Sequence, residues 1–448
     1  MLIWILSKKQ KKDLIEILVN KIFVFILFLF FLAGCSLNEN SRIWNKEVKT
    51  ISKNKKKVFV EEKKLVKELN PSLKLNLSKI KHNNKIDYDL NNFGSLTYNG
   101  NLSKVGKYNF SKFDNFNEIN FEPLILNDGV IVFDKKGNIL RFNNNQKIIW
   151  KSNFYSKSEK KLNLMLTFAK TGNSLLAADN ISRIFSIEIN SGKLIWSKKS
   201  DYPFNSEIKI YKDKFFVVDY KNILRCFYIN DGSECWRVKT EESFTVSESK
   251  YSIIIQDNIL IFNNSIGDIT AIDILSGLIK WQLPTQKSNM TNEAYSFNYS
   301  KLVSDGNTIY FSNNKNEFYS IDLKSGITNW VIQINSILSP ILIGDYIFTV
   351  SNTGHFVTIE KKRGNIIRIN DIYKNYKPKK KKNLKPTGFM IAQNKLFLSN
   401  SDGNLIIVEV NSGKISRNER ISRSLISKPY FFNGNLFIVK NGSVIQYD

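Results

Sequence analysis

Histidine is almost missing from this sequence: His82 and His355 are the only two in 448 residues. Neither has a plausible partner nearby, so a metal centre or a base–nucleophile pair built on imidazole has nothing to stand on. Cysteine is nearly as scarce, with Cys35, Cys226 and Cys235 only. That excludes a cysteine-rich metal module or a densely bridged secreted scaffold. No phosphate-cradling glycine loop and no nucleophile motif is found. Acidic residues are outnumbered, 40 against 66 Lys and Arg, for a formal charge of +26. Lysine, asparagine and isoleucine are abundant together, so the excess reads as a solvated basic surface rather than a nucleic-acid groove.

One apolar run is present near the N-terminus, Ile22 to Ala33, too short to span a bilayer comfortably. Lys8, Lys9, Lys11, Lys12 and Lys21 precede it, and Leu32-Ala33-Gly34-Cys35 follows. A positive flank, a short apolar core and small residues before the cut describe a secretory signal over residues 1–34. The ending resembles a bacterial lipobox, which makes Cys35 the expected lipidation site. Acyl chains on one cysteine give a firm anchor, at about 0.8 kcal/mol per buried CH₂. Ser36 stands where an aspartate would signal retention at the inner membrane, so the outer membrane is expected. Residues 35–93 are polar and lysine-rich and are expected to form a largely irregular tether.

What the chain has in plenty is a turn followed by an indole. Ser191-Gly192 leads to Trp196, Asp231-Gly232 to Trp236, Ser276-Gly277 to Trp281, and Ser325-Gly326 to Trp330. Counted back from Trp150, the glycine slot holds Gln146, and two later copies carry Arg368 and Arg417 in the tryptophan slot. Between these turns run short apolar segments separated by Gly and Asn, which supply the positive φ of tight hairpins. Third-strand patterns number eight, from Asn138–Asn143 to Ser443–Tyr447. Strands such as Ile259–Phe262 are apolar in succession, so both sheet faces are covered. The period and the four-strand units predict an all-β, eight-bladed β-propeller over residues 94–448. Its last blade stops at Asp448 without a fourth strand, and Leu102–Phe110 is the expected donor that closes it, with the segment at Trp44 and Val48 as a second candidate across a longer gap. Tyr108 is assigned the tryptophan's place there. Trp150, Trp196, Trp236, Trp281 and Trp330 are read as structural plugs between blades, with about 150–250 Å² each to bury.

Three smaller features carry expectations. Cys226 and Cys235 flank the blade 3 turn and fall diagonally in the inferred register, near the limit of disulfide geometry. Two free buried thiols are therefore expected, with a disulfide as the alternative. The run Lys379-Lys380-Lys381-Lys382 reads as an exposed loop between blades 6 and 7. Val58–Val60 and Leu73–Leu77 read as short strands or partner-binding segments within the tether.

The Gly-Asn-Ile/Leu … Ser-Gly-Lys-Leu-Ile-Trp frame resembles the PQQ-type propeller repeat. With the lipobox, eight repeats and a truncated last blade, the sequence resembles the BamB family, propeller lipoproteins of the outer-membrane β-barrel assembly machinery. The likeness covers the signal and residues 94–448. It implies a non-enzymatic scaffold, without cofactor or metal, lipid-anchored at the outer membrane and facing the periplasm. The implied partner is a BamA-like barrel-assembly subunit, bound through its POTRA domains. In that family the loops leading into blades 4 and 5 make the contact, matching residues 241–251 and 288–300 here. Phe244, Val246, Lys250, Phe297, Asn298 and Tyr299 are the partner-binding residues this implies. Lys250 would stand for an arginine, and an acidic pair of the family is replaced by Phe297-Asn298-Tyr299. The competing readings are a PQQ-dependent dehydrogenase and a lipoprotein binding another envelope partner. Against the dehydrogenase, Cys226 and Cys235 are nine residues apart rather than adjacent, and no calcium-ligand and catalytic-base set presents itself.

Overall fold

The computed structural model describes residues 21, 67–77, 82–83, 91–116, 121–242, 247, 249–285 and 298–448. The chain divides into a unit up to Glu61 and a unit from Glu62 to Asp448, and the second holds the sheets. The signal, Cys35, Trp44, Val48 and Val58–Val60 lie outside the described residues.

Eight antiparallel sheets follow one another along the chain, each built on four strands, as an eight-bladed propeller. Blade 1 shows the pattern: Leu124–Leu126, Gly129–Phe133, Ile139–Asn143 and Ile148–Ser152 from the axis outward. Gly129–Phe133 is buried along its whole length, because each sheet face meets a neighbouring blade. The outer strand Ile148–Ser152 buries only Trp150. Blade 8 has Tyr430–Phe432, Asn435–Lys440 and Ser443–Tyr447, and Lys104–Asn109 completes it by pairing antiparallel with Ser443–Tyr447. Tyr108 sits at this seam, 1% exposed. Its hydroxyl donates to Gln446 Oε1 at 2.8 Å, and its ring meets Phe142 of blade 1 edge-on at 5.7 Å.

The repeated tryptophans do more than fill space. Each lies on the glycine turn of the next blade, and in all but Trp236, whose indole N–H is buried without a partner among the described residues, the indole N–H donates to a main-chain carbonyl there. Trp150 donates to Ile189 O at 2.8 Å, Trp196 to Ile229 O at 2.9 Å, Trp281 to Leu323 O at 3.1 Å and Trp330 to Lys361 O at 3.2 Å. Glycine is required beneath the ring for two reasons. Gly192 has φ +71°, and a Cβ there would stand 2.5 Å from Trp150 Cδ2. Gly192→Ala is therefore expected to cost about 2–3 kcal/mol, combining left-handed strain with overpacking. Gly172→Ala is the control, since Gly172 has φ +52° and nothing within 4 Å of the added carbon. It should cost about 1 kcal/mol, and urea unfolding of the two variants separates the contributions.

Arg368 solves the same junction differently. It is wholly buried, and its guanidinium donates to Asn411 O at 2.7 Å, to Val410 O at 2.5 Å, and to Leu73 O at 2.9 Å. The last contact comes from the segment read as tether. Residues 67–77 run along blades 6 and 7: Leu69 N donates to Ile369 O at 3.2 Å, and Leu75 N to Asn411 O at 3.1 Å. Leu75 and Leu77 are buried. Arg417, by contrast, stays half-exposed and donates to Asn101 O at 2.9 Å.

Two further expectations are corrected. Cys226 and Cys235 are joined as a disulfide, with Cα atoms 5.2 Å apart. Cys226 pairs with Trp236 and Phe227 with Glu234, so Cys235 is the extra residue of a β-bulge and is not diagonal to Cys226. The lysine run is not a loop but a short helix, Pro378–Asn383, with proline in its first turn. Lys381 pairs with Asp371, and Lys380 with Asp402 at 3.1 Å. His355 opens a blade 6 strand and hydrogen-bonds with Thr353 Oγ1 at 2.9 Å, a structural role.

Candidate functional site

The inner strands line an axial channel, and the structure treats its two ends differently. At the ends of the strands, residues 91–98 form a strap across them. Asn91 Nδ2 donates to Ile255 O at 2.7 Å, and Ile255 N returns a bond to Asn91 Oδ1 at 3.3 Å. Asn92 makes the same reciprocal pair with Leu342, at 3.0 and 3.1 Å. Each amide side chain thus imitates a paired strand residue. Ser304 N donates to Asn91 O at 3.0 Å. The strap then joins blade 7 as a parallel strand, Ser95–Leu96 against Ile391–Ala392, with His82–Asn83 beyond it. Tyr98 ends the crossing with its hydroxyl on Asp448 O at 2.8 Å.

At the starts of the strands stands a ring of charge. Ser206, Ser300 and Ser427 recur at one place in blades 3, 5 and 8. Each hydroxyl accepts from the second strand, from Val218 N, Ser312 N and Val439 N at 2.8, 2.9 and 3.0 Å. It also donates to the carbonyl of the residue that follows it. That turn aims the following residue, Glu207, Lys301 or Lys428, into the channel. Glu122 enters from blade 1. Lys428 Nζ lies 2.8 Å and Lys301 Nζ 3.5 Å from Glu122 Oε1, and Lys301 Nζ lies 3.2 Å from Glu207 Oε2. Glu207 Oε1 accepts in addition from Ile253 N at 3.1 Å. Lys250 donates to Thr167 Oγ1 across the channel at 2.8 Å. Ring and strap enclose a well of about 930 Å³.

The charges in the ring tune one another. Burial opposes ionisation of Glu122, but Lys301, Lys428 and Lys250 together hold it well below the usual carboxylate range. Burial also works against Lys301, yet Glu122 and Glu207 keep it above the ordinary lysine value. For Lys250 burial prevails and brings it down to about 8, the attraction of Glu122 being offset by repulsion from Lys301 and Lys428. The side chains of Lys301 and Glu122 remain 26% and 24% open, so the ring faces solvent in the well. Among the described residues, no group of three or more His, Cys, Asp and Glu could hold a metal ion.

The residues expected to bind a partner do not form one surface. Phe244, Val246 and Phe297 lie outside the described residues. Lys250 points into the channel and donates to Thr167 Oγ1. Tyr299 is 3% exposed and donates to Asn264 O at 3.0 Å, so it is part of the core rather than a surface anchor. Asn298 is half-buried, accepting from Ser249 Oγ at 3.1 Å. The ring itself escaped sequence reasoning because its members lie a blade apart in the chain. The recurring Ser-Glu or Ser-Lys pair before an inner strand was the available signal.

With the architecture in place, the comparisons with known proteins are specific. The family described as "Outer membrane protein assembly factor BamB" matches residues 135–370, more than half of the chain. The chain belongs to that family. BamB of Shewanella oneidensis is 27% identical over 164 residues, a match that spans 35% of this chain and 37% of that relative's own length. The crystal structure of BamB from Moraxella catarrhalis superposes with a TM-score of 0.63 at 16% identity, covering 78% of this chain and 99% of that one. Quinohemoprotein alcohol dehydrogenase from Comamonas testosteroni superposes at 0.56 with 11% identity, over 79% of this chain and 78% of its own. At such identities the structural likenesses show the propeller fold alone.

Proposed function

We propose that this chain is a non-enzymatic scaffold of outer-membrane β-barrel assembly. In this reading it is lipidated at Cys35, held at the outer membrane facing the periplasm, and bound to the POTRA domains of a BamA-like subunit. The observation that carries the reading is the family match over residues 135–370. With Lys250 and Tyr299 turned inward, the contact is assigned to Phe244, Val246 and Phe297 of the loops leading into blades 4 and 5. Apolar anchors of this kind concentrate binding energy in a few side chains, at 2 kcal/mol or more each by the usual order of magnitude, about thirtyfold in affinity.

The test is a pull-down from envelope extracts with the lipidated protein as bait. The wild type is expected to recover the barrel-forming subunit, and Phe244→Asp with Phe297→Asp to lose it while the melting temperature stays unchanged. Recovery of no barrel-assembly subunit by the wild type sinks the proposal. Oxidation of an alcohol after addition of PQQ and calcium would instead favour the dehydrogenase reading.

A further inference from the structure

The charge ring has a surplus that the fold alone does not use. Among the described residues, Lys250, Lys301 and Lys428 face two carboxylates, Glu122 and Glu207. Lys209, buried and with a partner of its own, adds positive potential on the same wall. Lys301 and Lys428 are each within 4 Å of a carboxylate, whereas Lys250 bonds a neutral hydroxyl. An ammonium carries three donors, and a partly desolvated cation whose attraction to Glu122 is offset by Lys301 and Lys428 is costly. Thr167, accepting from Lys250, keeps its own hydroxyl proton to give. The well's size falls in the range of small-molecule sites, about 300–1,000 Å³, and the overall positive charge draws anions toward it. The strap bounds the well on the far side with Asn91, Asn92 and Phe93, which adds an aromatic wall.

We propose that the well binds a small soluble oxyanion, a carboxylate- or phosphoryl-bearing molecule, seated on Lys250 and Thr167 with Lys301 and Lys428 reinforcing the field. The anion supplies the counter-charge that the ring lacks. Burial brings Lys250 down to about 8, so its charge is present at neutral pH and lost as pH rises through that value. A bound anion favours the protonated lysine, and binding therefore takes up protons on the alkaline side. The site shares Lys250 and Asn298 with the loops assigned to the partner, but anion binding is read on the purified chain without the partner, so its failure and that of the scaffold reading are told apart.

Citrate and sulfate, which keep constant charge above neutrality, are the probes: the first represents a carboxylate ligand, the second a phosphoryl one. Calorimetry on the detergent-solubilised full chain at low ionic strength is expected to give one site for at least one of them. Affinity should fall about tenfold for each pH step above the Lys250 transition, the limit for a site that requires one proton. Lys250→Met should weaken binding at least about tenfold and flatten the pH dependence, whereas Lys380→Met on the outer helix changes neither. Thr167→Val, which keeps every charge, is expected to weaken binding about threefold, and it serves if Lys250→Met fails to fold. Binding of citrate alone assigns a carboxylate ligand, and of sulfate alone a phosphoryl one. The proposal is overturned if neither probe binds, or if binding is the same in Lys250→Met and Thr167→Val as in the wild type.

Discussion

A chain that begins at residue 111 is expected to aggregate, while one that begins at residue 91 stays monomeric and unfolds cooperatively. The shorter chain loses the strap of residues 91–98 and, decisively for association, Lys104–Asn109, whose removal leaves Ser443–Tyr447 as a bare strand edge. Unpaired edges of this kind template association with other chains. The shorter chain also loses Tyr108, which is buried against blade 1 and bonded to Gln446. Removing a buried aromatic costs about 3–5 kcal/mol, and the lost ladder adds to it. Total stability for a domain is about 5–15 kcal/mol, so most of it goes. Size-exclusion chromatography and a thermal melt of the two chains decide the matter. A monodisperse shorter chain with an unchanged melt would show that the ring is not closed by this strand.

The second large effect is expected at Arg368→Met. Methionine keeps the stem but removes donors to three main-chain carbonyls, on Val410, Asn411 and Leu73. Val410 O is left buried without a partner and Leu73 O loses its donor, while Asn411 O keeps Leu75 N; at about 1–3 kcal/mol per unsatisfied buried acceptor the loss is roughly 2–4 kcal/mol. Burial already draws the Arg368 guanidinium down to about 10, which offsets part of the loss. The damage should be regional: residues 67–77 lose their hold on blades 6 and 7 and become cleavable, with the remaining blades intact. Arg417→Met is the comparison, since its half-exposed guanidinium contributes under about 1 kcal/mol. Limited proteolysis followed by mass spectrometry reads the difference. Equal sensitivity in the two variants would mean that Arg368 is not the clasp.

Blade count, strand order and the closing segment were legible because the repeat states them eight times over. The glycine before each tryptophan could be placed by spacing, but its second role, making room for an indole from the previous blade, needed coordinates. The strap was not legible, and of residues 67–77 only Leu73–Leu77 was marked, as a short strand or partner-binding segment, without its place on blades 6 and 7. Their bonds run main chain to main chain or through asparagine amides, and such contacts leave no hydrophobic period to read. The disulfide was misjudged because a bulge at Cys235 shifts the register by one residue, and the sequence does not mark bulges there. Tyr299 sits in a polar stretch that looks like surface, yet its ring fills a core position and its hydroxyl finds a carbonyl.

The strap and the closing strand are consecutive in sequence, and both end on the last residues of the chain. Tyr98 reaches Asp448 over 350 positions. The earliest part of the domain to be synthesised is therefore the last to find its place, since its partner does not exist until residues 443–448 have been made. Encounters of such long range set slow folding. Until then both free margins of the incomplete ring, one at each terminus, stay open to other polypeptides, and delay at this step is the moment of greatest risk in the molecule's life.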